Sequence, residues 1–205
     1  MATAPQASPR IAVIANLDHG CSLRTLNVRE ARIEIDKATT AVKKLLEIQP
    51  RCVVYGRECR QRRDVGFFSN VSFGYKFSGQ IAKAIPVPPE LTCLIDYVNR
   101  QFGSAYNGVL VNRYVDGTNN IGYHSDSEVD LDIVAGVVAI SVGVARKFRI
   151  KDKKTDTTVY EHRTGTYEAL QMHGADFQKY YTHGIPQEKR VRGVRYSFTF
   201  RRHTK

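Results

Sequence analysis

Gly193-Val194-Arg195-Tyr196-Ser197-Phe198-Thr199-Phe200-Arg201-Arg202 alternates almost without fault. Val194, Tyr196, Phe198 and Phe200 take one face and Arg195, Ser197, Thr199 and Arg201 the other, the two-residue period of a β-strand. On a surface strand the two arginines would simply face water. If the apolar face instead packs on an outer layer, the polar face lines a barrel interior, where two guanidinium groups are costly unless a dianion neutralises them. Their planar fork suits carboxylates bidentately, which makes a small dicarboxylic acid the candidate. Asn112 and Tyr114, also two residues apart, would add a neutral hydrogen-bonding pair from a neighbouring strand.

Working back from this strand to Gly103, short β-rich runs are separated by Gly, Asn and Asp. They cover 109–114, 121–126, 134–150, 157–160 and 181–183, with a turn at 115–120. Such runs without intervening helices argue for an antiparallel sandwich or barrel. Before Gly103, Leu91, Leu94, Ile95, Val98 and Phe102 follow helical spacing behind Pro88-Pro89, which predicts a helix over 89–102. A second helix is expected over 38–48, with Ile33 and Ile35 compatible with a short strand. Phe67, Phe68 and Phe73 are expected mostly in the core. Residues 1–10 read as a flexible tail.

The 205 residues fit one domain, and 42% hydrophobic with 25% charged residues excludes a disordered, collagen-like or coiled-coil chain. No apolar run approaches the roughly 20 residues of a membrane span, and Met1-Ala2-Thr3-Ala4-Pro5-Gln6 lacks the features of a signal peptide. Cys21, Cys52, Cys59 and Cys93 form no CxxC pair, so they read as reduced thiols rather than a zinc knuckle or thioredoxin motif. An intracellular protein with no membrane association is expected, as a monomer and with the nucleus favoured over the cytoplasm. The 31 basic against 20 acidic residues give a net charge of +11, which favours a polyanionic partner such as nucleic acid.

Of six histidines, His124 alone has an aspartate two residues on, in Gly122-Tyr-His-Ser-Asp-Ser-Glu128. On an extended strand both side chains point the same way. With a third ligand they would form the facial triad that holds Fe(II) and leaves positions open. His162, His173 and His183 are the choices for that ligand. His183, at the end of a β-like run before a turn, is favoured; His162 and His173 read as surface residues.

Over roughly residues 50–202 these elements resemble the AlkB family of Fe(II)/2-oxoglutarate-dependent dioxygenases. The resemblance rests on Pro50-Arg51, Tyr55-Gly56, Tyr75-Lys-Phe-Ser-Gly79, Asn112-Arg-Tyr-x-Asp-Gly117, His124-x-Asp126-x-Glu128, His183-x-x-Pro186 and Arg195 followed six residues later by Arg201. It implies an α+β, mainly β fold: a double-stranded β-helix (jelly-roll) core with flanking helices, spanning 49–205 and preceded by an extension over 11–48 of no recognisable role. It implies Fe(II), 2-oxoglutarate and O2 as cofactor and cosubstrates. By it His124, Asp126 and His183 would bind iron. Arg195, Asn112 and Tyr114 would hold the distal carboxylate of 2-oxoglutarate, and Arg201, with Ser197 and Thr199 nearby, the end that chelates iron. An extruded base would stack between Phe77 and His124, with Tyr75 at its edge and Glu128 near its polar groups.

The implied reaction is oxidative demethylation or dealkylation of N-alkylated bases in DNA or RNA, releasing formaldehyde and succinate. Arg51, Arg57, Arg60, Arg62 and Arg63 fall within thirteen residues, followed by aromatics. That mixture serves phosphate and stacking contacts, and places Arg51, Arg60, Arg62 and Arg63 among the substrate-binding candidates. A 2-oxoglutarate-dependent hydroxylase or demethylase of protein, and a catalytically inactive nucleic-acid-binding module, are the competing readings.

Overall fold

A computed structural model describes residues 10–54, 56–77, 80–126 and 130–204, without the side chains of 75–77 and 80. The chain begins with β1 (Ala12–Asn16), β2 (Ser22–Asn27), a 3-10 turn (Arg29–Ala31) and α1 (Arg32–Val42). Then come β3 (Arg51–Val54), β4 (Arg57–Arg60), β5 (Asp64–Ser69), β6 (Gly74–Phe77), β7 (Gln80–Ile85) and α2 (Pro89–Phe102). β8 (Gly108–Tyr114), β9 (Ile121–His124), β10 (Val137–Gly143), β11 (Lys147–Asp152), β12 (Thr158–Arg163) and β13 (Glu168–His173) follow, and α3 (Phe177–Tyr180), β14 (Tyr181–Ile185) and β15 (Arg195–Arg201) close the chain.

Among the described residues the strands form a nine-stranded sheet, β1-β2-β13-β10-β15-β8-β5-β7-β6, a four-stranded sheet, β12-β11-β14-β9, and the separate hairpin β3-β4. All pairs are antiparallel except β5 with β7. The two sheets make the double-stranded β-helix, and helices cover the larger sheet.

Burial decides between the two readings of the last strand. Every residue of β15 is buried. Tyr196, Phe198 and Phe200 pack with Val109, Val111, Val138 and Ile140 under Ile35, Ala38 and Val42 of α1 and Leu91, Leu94 and Val98 of α2. The helices thus supply the outer layer, and the polar face of β15 turns inward. Between the sheets a second core gathers Tyr114, Ile121, Phe148, Ile150, Leu170, Met172 and Ile185. Residues 12–42 contribute β1 and β2 to the large sheet and α1 to its cover.

α2 begins at Pro89 and ends at Gly103, which adopts φ 59° and donates its N–H to Asn99 O. A Cβ there would touch nothing, so only the left-handed backbone resists substitution. Gly103→Ala is expected to cost about 1 kcal/mol, read as a lower denaturant midpoint at unchanged slope. An unchanged midpoint would mean that the helix ends elsewhere in solution.

Two expectations need correction, one strand was not foreseen, and the three phenylalanines are mostly core as expected. The first helix covers 32–42 rather than 38–48: Ile35, Ala38 and Val42 form its buried stripe, whereas Leu45 and Ile48 are exposed. The run 134–150 is two strands broken at Gly143, whose φ is 99°. β13, unforeseen, is mostly buried between β2 and β10. Phe67 and Phe68 are fully buried, but Phe73 lies outside the core at 97% exposure.

Candidate metal centre and cosubstrate pocket

β9 and β14 pair antiparallel, and the register sets His124 directly opposite His183. Their rings lie 4.4 Å apart between centroids. β9 ends at His124, so a strand alone does not place Asp126. The following residues are tied down instead: Ser125 Oγ donates to Tyr181 O at 2.8 Å, and the Asp126 N–H donates to Gln178 Oε1 of α3 at 2.9 Å. Asp126 Oδ1 then stands 3.8 Å from His124 Nε2, and Oδ2 stands 3.9 Å from His183 Nε2. One ligand atom from each residue lies within 4.8 Å of the others. Neither His162, 2.9 Å from Glu168 Oε1, nor His173 joins this cluster.

The donor set suits a divalent cation. His124 Nδ1 sits 2.9 Å from Gly122 O; a carbonyl only accepts, so Nδ1 carries the proton and Nε2 presents its lone pair toward Asp126. Burial lowers the His183 imidazole to about 3, helped by His124 and opposed by Asp126. Burial also lowers His124, partly offset by Asp126. Burial alone would raise the Asp126 carboxyl, but Arg201 and the two imidazoles outweigh it and bring it to about 2. At neutral pH the site therefore offers two neutral imidazoles and one carboxylate.

His124, His173, His183 and His203 all lie below the ordinary 6.5 chiefly through burial. The unfolded chain takes up protons near that value while the folded chain resists them, so stability present above it is lost as pH falls. The metal-free protein is expected to melt at progressively lower temperature from about pH 7 to pH 5, and a flat melting temperature over that range would contradict the burial.

Behind the triad, β15 lies between β8 and β10, pairing Arg195 with Tyr114, Ser197 with Asn112 and with Ser141, and Thr199 with Leu110. Asn112, Tyr114, Arg195, Ser197, Thr199, Arg201, His124 and His183 line one pocket with Ile121, Phe148, Leu170 and Met172. Arg195 is 2% exposed. Its Nη2 donates to Ser141 Oγ at 2.9 Å, and its guanidinium carbon lies 5.3 Å from the Tyr114 ring centre. Its Nε and Nη1 have no partner among the described residues. A buried guanidinium with N–H groups left over, lining a pocket, fits a carboxylate. Arg201 lines the same pocket, and its Nη2 donates to Asp126 Oδ1 at 2.6 Å, so it also holds the acidic member of the triad, a contact the sequence did not foretell.

Sequence reasoning missed Ser141 and Arg146. Arg146 is fully buried and donates to Asp116 O, Asn119 O, Pro186 O and the Glu188 carboxylate. It ties the loop after β8 to the loop after β14, and so fixes the end of the strand that carries His183. These partners are remote in sequence, and no local signal marks them.

A groove beside the triad is lined by Cys52, Val54, Cys59, Arg60, Gln61, Arg62, Arg63 and Asn120 to His124. Arg51 is exposed on β3, opposite Arg60. Arg63 corrects the expectation of a phosphate contact: it is 3% exposed, and its Nε donates to Asn112 Oδ1 at 2.6 Å. Exposure alternates through Arg60, Gln61, Arg62 and Arg63, so only Arg60 and Arg62 face outward. Tyr75 and Phe77 lie on β6, but their side chains, and Glu128 altogether, lie outside the described residues.

A jelly roll holding two imidazoles and a carboxylate at its mouth, with buried arginine behind them, defines a non-haem iron oxygenase that takes an acidic cosubstrate. The family model of the 2OG-Fe(II) oxygenase superfamily matches residues 28–201. The chain belongs to that superfamily and, within it, to the AlkB family. It is 31% identical over 180 residues to the mouse protein named DNA oxidative demethylase ALKBH2, covering 85% of this chain and 72% of that one. To the human protein of the same name it is 28% identical over 158 residues, covering 74% of this chain. The match spans only 60% of the human protein's length. A solved structure titled "The structure of OsALKBH1" superposes with a TM-score of 0.55 at 16% identity, over 88% of this chain and 97% of that one. Fe(II), 2-oxoglutarate and O2 are the cofactor and cosubstrates of the superfamily. Among the described residues no helix is long and apolar enough to cross a membrane.

Proposed function

We propose that this chain oxidatively removes methyl or small alkyl groups from bases in nucleic acid. The observation that carries the reading is that His124 belongs at once to the buried pocket and to the basic groove. A polyanion lying in the groove would therefore present a base at the triad. Arg51 and Arg60 oppose each other across the hairpin; like charges so placed repel, and phosphate would relieve them. The substrate named for the mouse and human relatives agrees with this.

In this reading His124, Asp126 and His183 hold iron. Arg195, with Asn112 and Tyr114, receives the distal carboxylate of 2-oxoglutarate. Arg201, Ser197 and Thr199 lie toward its other end, Arg201 also keeping Asp126 ionised and in place. Bound there, iron with O2 and 2-oxoglutarate supplies the oxidation of an N-methyl C–H bond, giving succinate and carbon dioxide. The hydroxymethyl group on the base then leaves as formaldehyde. The family resemblance alone names Phe77, Tyr75 and Glu128 as the residues to meet an extruded base at His124. The apolar wall of Ile121, Phe148, Leu170 and Met172 keeps bulk water from the pocket.

The test is incubation with methylated DNA and RNA strands, iron, ascorbate and 2-oxoglutarate, followed by measurement of formaldehyde and restored base. Repair that disappears in His124→Ala with binding retained supports the reading. Turnover only on peptides would establish a protein hydroxylase; binding without turnover under any iron condition would establish an inactive module. Replacing Arg60 and Arg62 by Ala is expected to weaken binding across all sequences. It should also flatten the log–log salt slope by about 0.7 per lost contact on single strands. An unchanged slope would show both side chains to be merely solvated.

A further inference from the structure

Cys52 and Cys59, seven residues apart, face each other directly across the β3-β4 hairpin with their Sγ atoms 3.1 Å apart. Both are free thiols. The turn that brings them together passes through Gly56 at φ 75°. Antiparallel pairs alternate between hydrogen-bonded and non-bonded, and the Gln61 N–H donates to Pro50 O at 2.8 Å. Two residues further on, the 52/59 pair is therefore a bonded one, with Cα atoms about 5.5 Å apart. That separation lies inside the roughly 4.4–6.8 Å span of disulfides, and a sulfur movement of about 1 Å would complete the bond.

We propose that Cys52 and Cys59 form a reversible disulfide by exchange with a low-molecular-weight disulfide such as glutathione disulfide, and that closing it stiffens the wall of the basic groove. The second half rests on the nucleic-acid reading above; the first does not. Cys59 is exposed and Cys52 only 4% exposed, which assigns them different steps. The Cys59 thiolate attacks one sulfur of glutathione disulfide; that S–S bond breaks, and one glutathione leaves and takes up a proton. Cys52 then loses its proton to solvent and attacks Cys59 Sγ; the mixed disulfide breaks and releases the second glutathione. Two protein thiols are oxidised and one glutathione disulfide is reduced to two thiols. Burial and the neighbouring Cys59 push the Cys52 thiol up to about 11, so the resolving step is the slow one.

The hairpin gives this bond its consequence. β3 and β4 form a two-stranded sheet of their own, and such ribbons are marginally stable alone. Both cysteines line the groove with Arg60, Arg62 and His124. A cross-link fixes that wall before a ligand arrives and reduces the ordering cost of binding.

The experiment equilibrates the full-length, metal-free protein with graded mixtures of glutathione and glutathione disulfide, then alkylates and maps it by mass spectrometry. Expected is a linked 52–59 species lighter by two hydrogens, reversed by dithiothreitol, abolished by Cys59→Ser and retained in Cys93→Ser. A glutathione adduct that persists on Cys59 beside a free Cys52 would overturn the disulfide. In parallel, the oxidised form should bind a fluorescent methylated single strand about three- to tenfold more tightly than the reduced form, with no such difference in Cys59→Ser. Equal affinities would overturn the link to the groove. Failure of either form to bind any strand would overturn the nucleic-acid reading, whereas the disulfide is judged by mass alone.

Discussion

Asp126→Asn is expected to lower 2-oxoglutarate turnover by about 10³-fold, the several kcal/mol that a correctly held metal contributes. Asp126 is the only formal anion in a cluster whose other members are two neutral imidazoles and the Arg201 guanidinium. Removing its charge leaves a net cation where a divalent metal must sit. Asparagine keeps an oxygen for the 2.6 Å contact with Arg201 Nη2 and conserves side-chain volume, so loss of function would not be loss of fold. Anaerobic Fe(II) or Co(II) titration should show weakened binding, and succinate formation should fall with it. Undiminished turnover with normal metal affinity would mean that the metal lies elsewhere.

Arg195→Met should separate stability from function in the opposite sense. In the ligand-free protein Arg195 is a buried cation held by Ser141 Oγ and lying against Tyr114. A second buried arginine, Arg146, lies 5.7 Å from the same Tyr114 ring that Arg195 faces. Burial drives the Arg195 guanidinium below its ordinary value, and Arg146 adds to the effect. Replacing such a charge by an apolar side chain of similar volume is often neutral or stabilising by about 1–4 kcal/mol. The melting temperature of the ligand-free variant should rise by about 2–4 °C for each kcal/mol gained. The Michaelis constant for 2-oxoglutarate should rise about 10²–10³-fold, because a desolvated carboxylate loses its charged partner, worth about 2–5 kcal/mol. Added 2-oxoglutarate should no longer raise the melting temperature. A variant that melts lower yet keeps its response to 2-oxoglutarate would assign Arg195 to structure alone.

The alternation of 194–201 is legible because a strand's two faces are written in successive residues. Whether its arginines meet water or the interior is not, since the answer depends on α1 and α2 covering the opposite face. His183 follows from its place at the end of a β-run. The contact of Arg201 with Asp126 does not, because the loop after β9 is shaped by Ser125 and Gln178 contacts with remote elements. Counting arginines in 51–63 conveys the charge of the groove but misses the two-residue alternation that turns Arg63 inward onto Asn112. Arg146 is invisible for a related reason: its partners at 116, 119, 186 and 188 converge only after both sheets have formed. Ile33 and Ile35 misled through a strand-like spacing, whereas the helix buries Ile35 and exposes Ile33.

Anomalous diffraction at the iron edge, from crystals grown without oxygen in the presence of Fe(II) and 2-oxoglutarate, addresses the arrangement most directly. The expected peak lies within coordination distance of His124 Nε2, an Asp126 carboxylate oxygen and His183 Nε2, with the cosubstrate's distal carboxylate on the Arg195 guanidinium. An iron peak away from those three atoms, or a 2-oxoglutarate molecule that leaves Arg195 untouched, would contradict it.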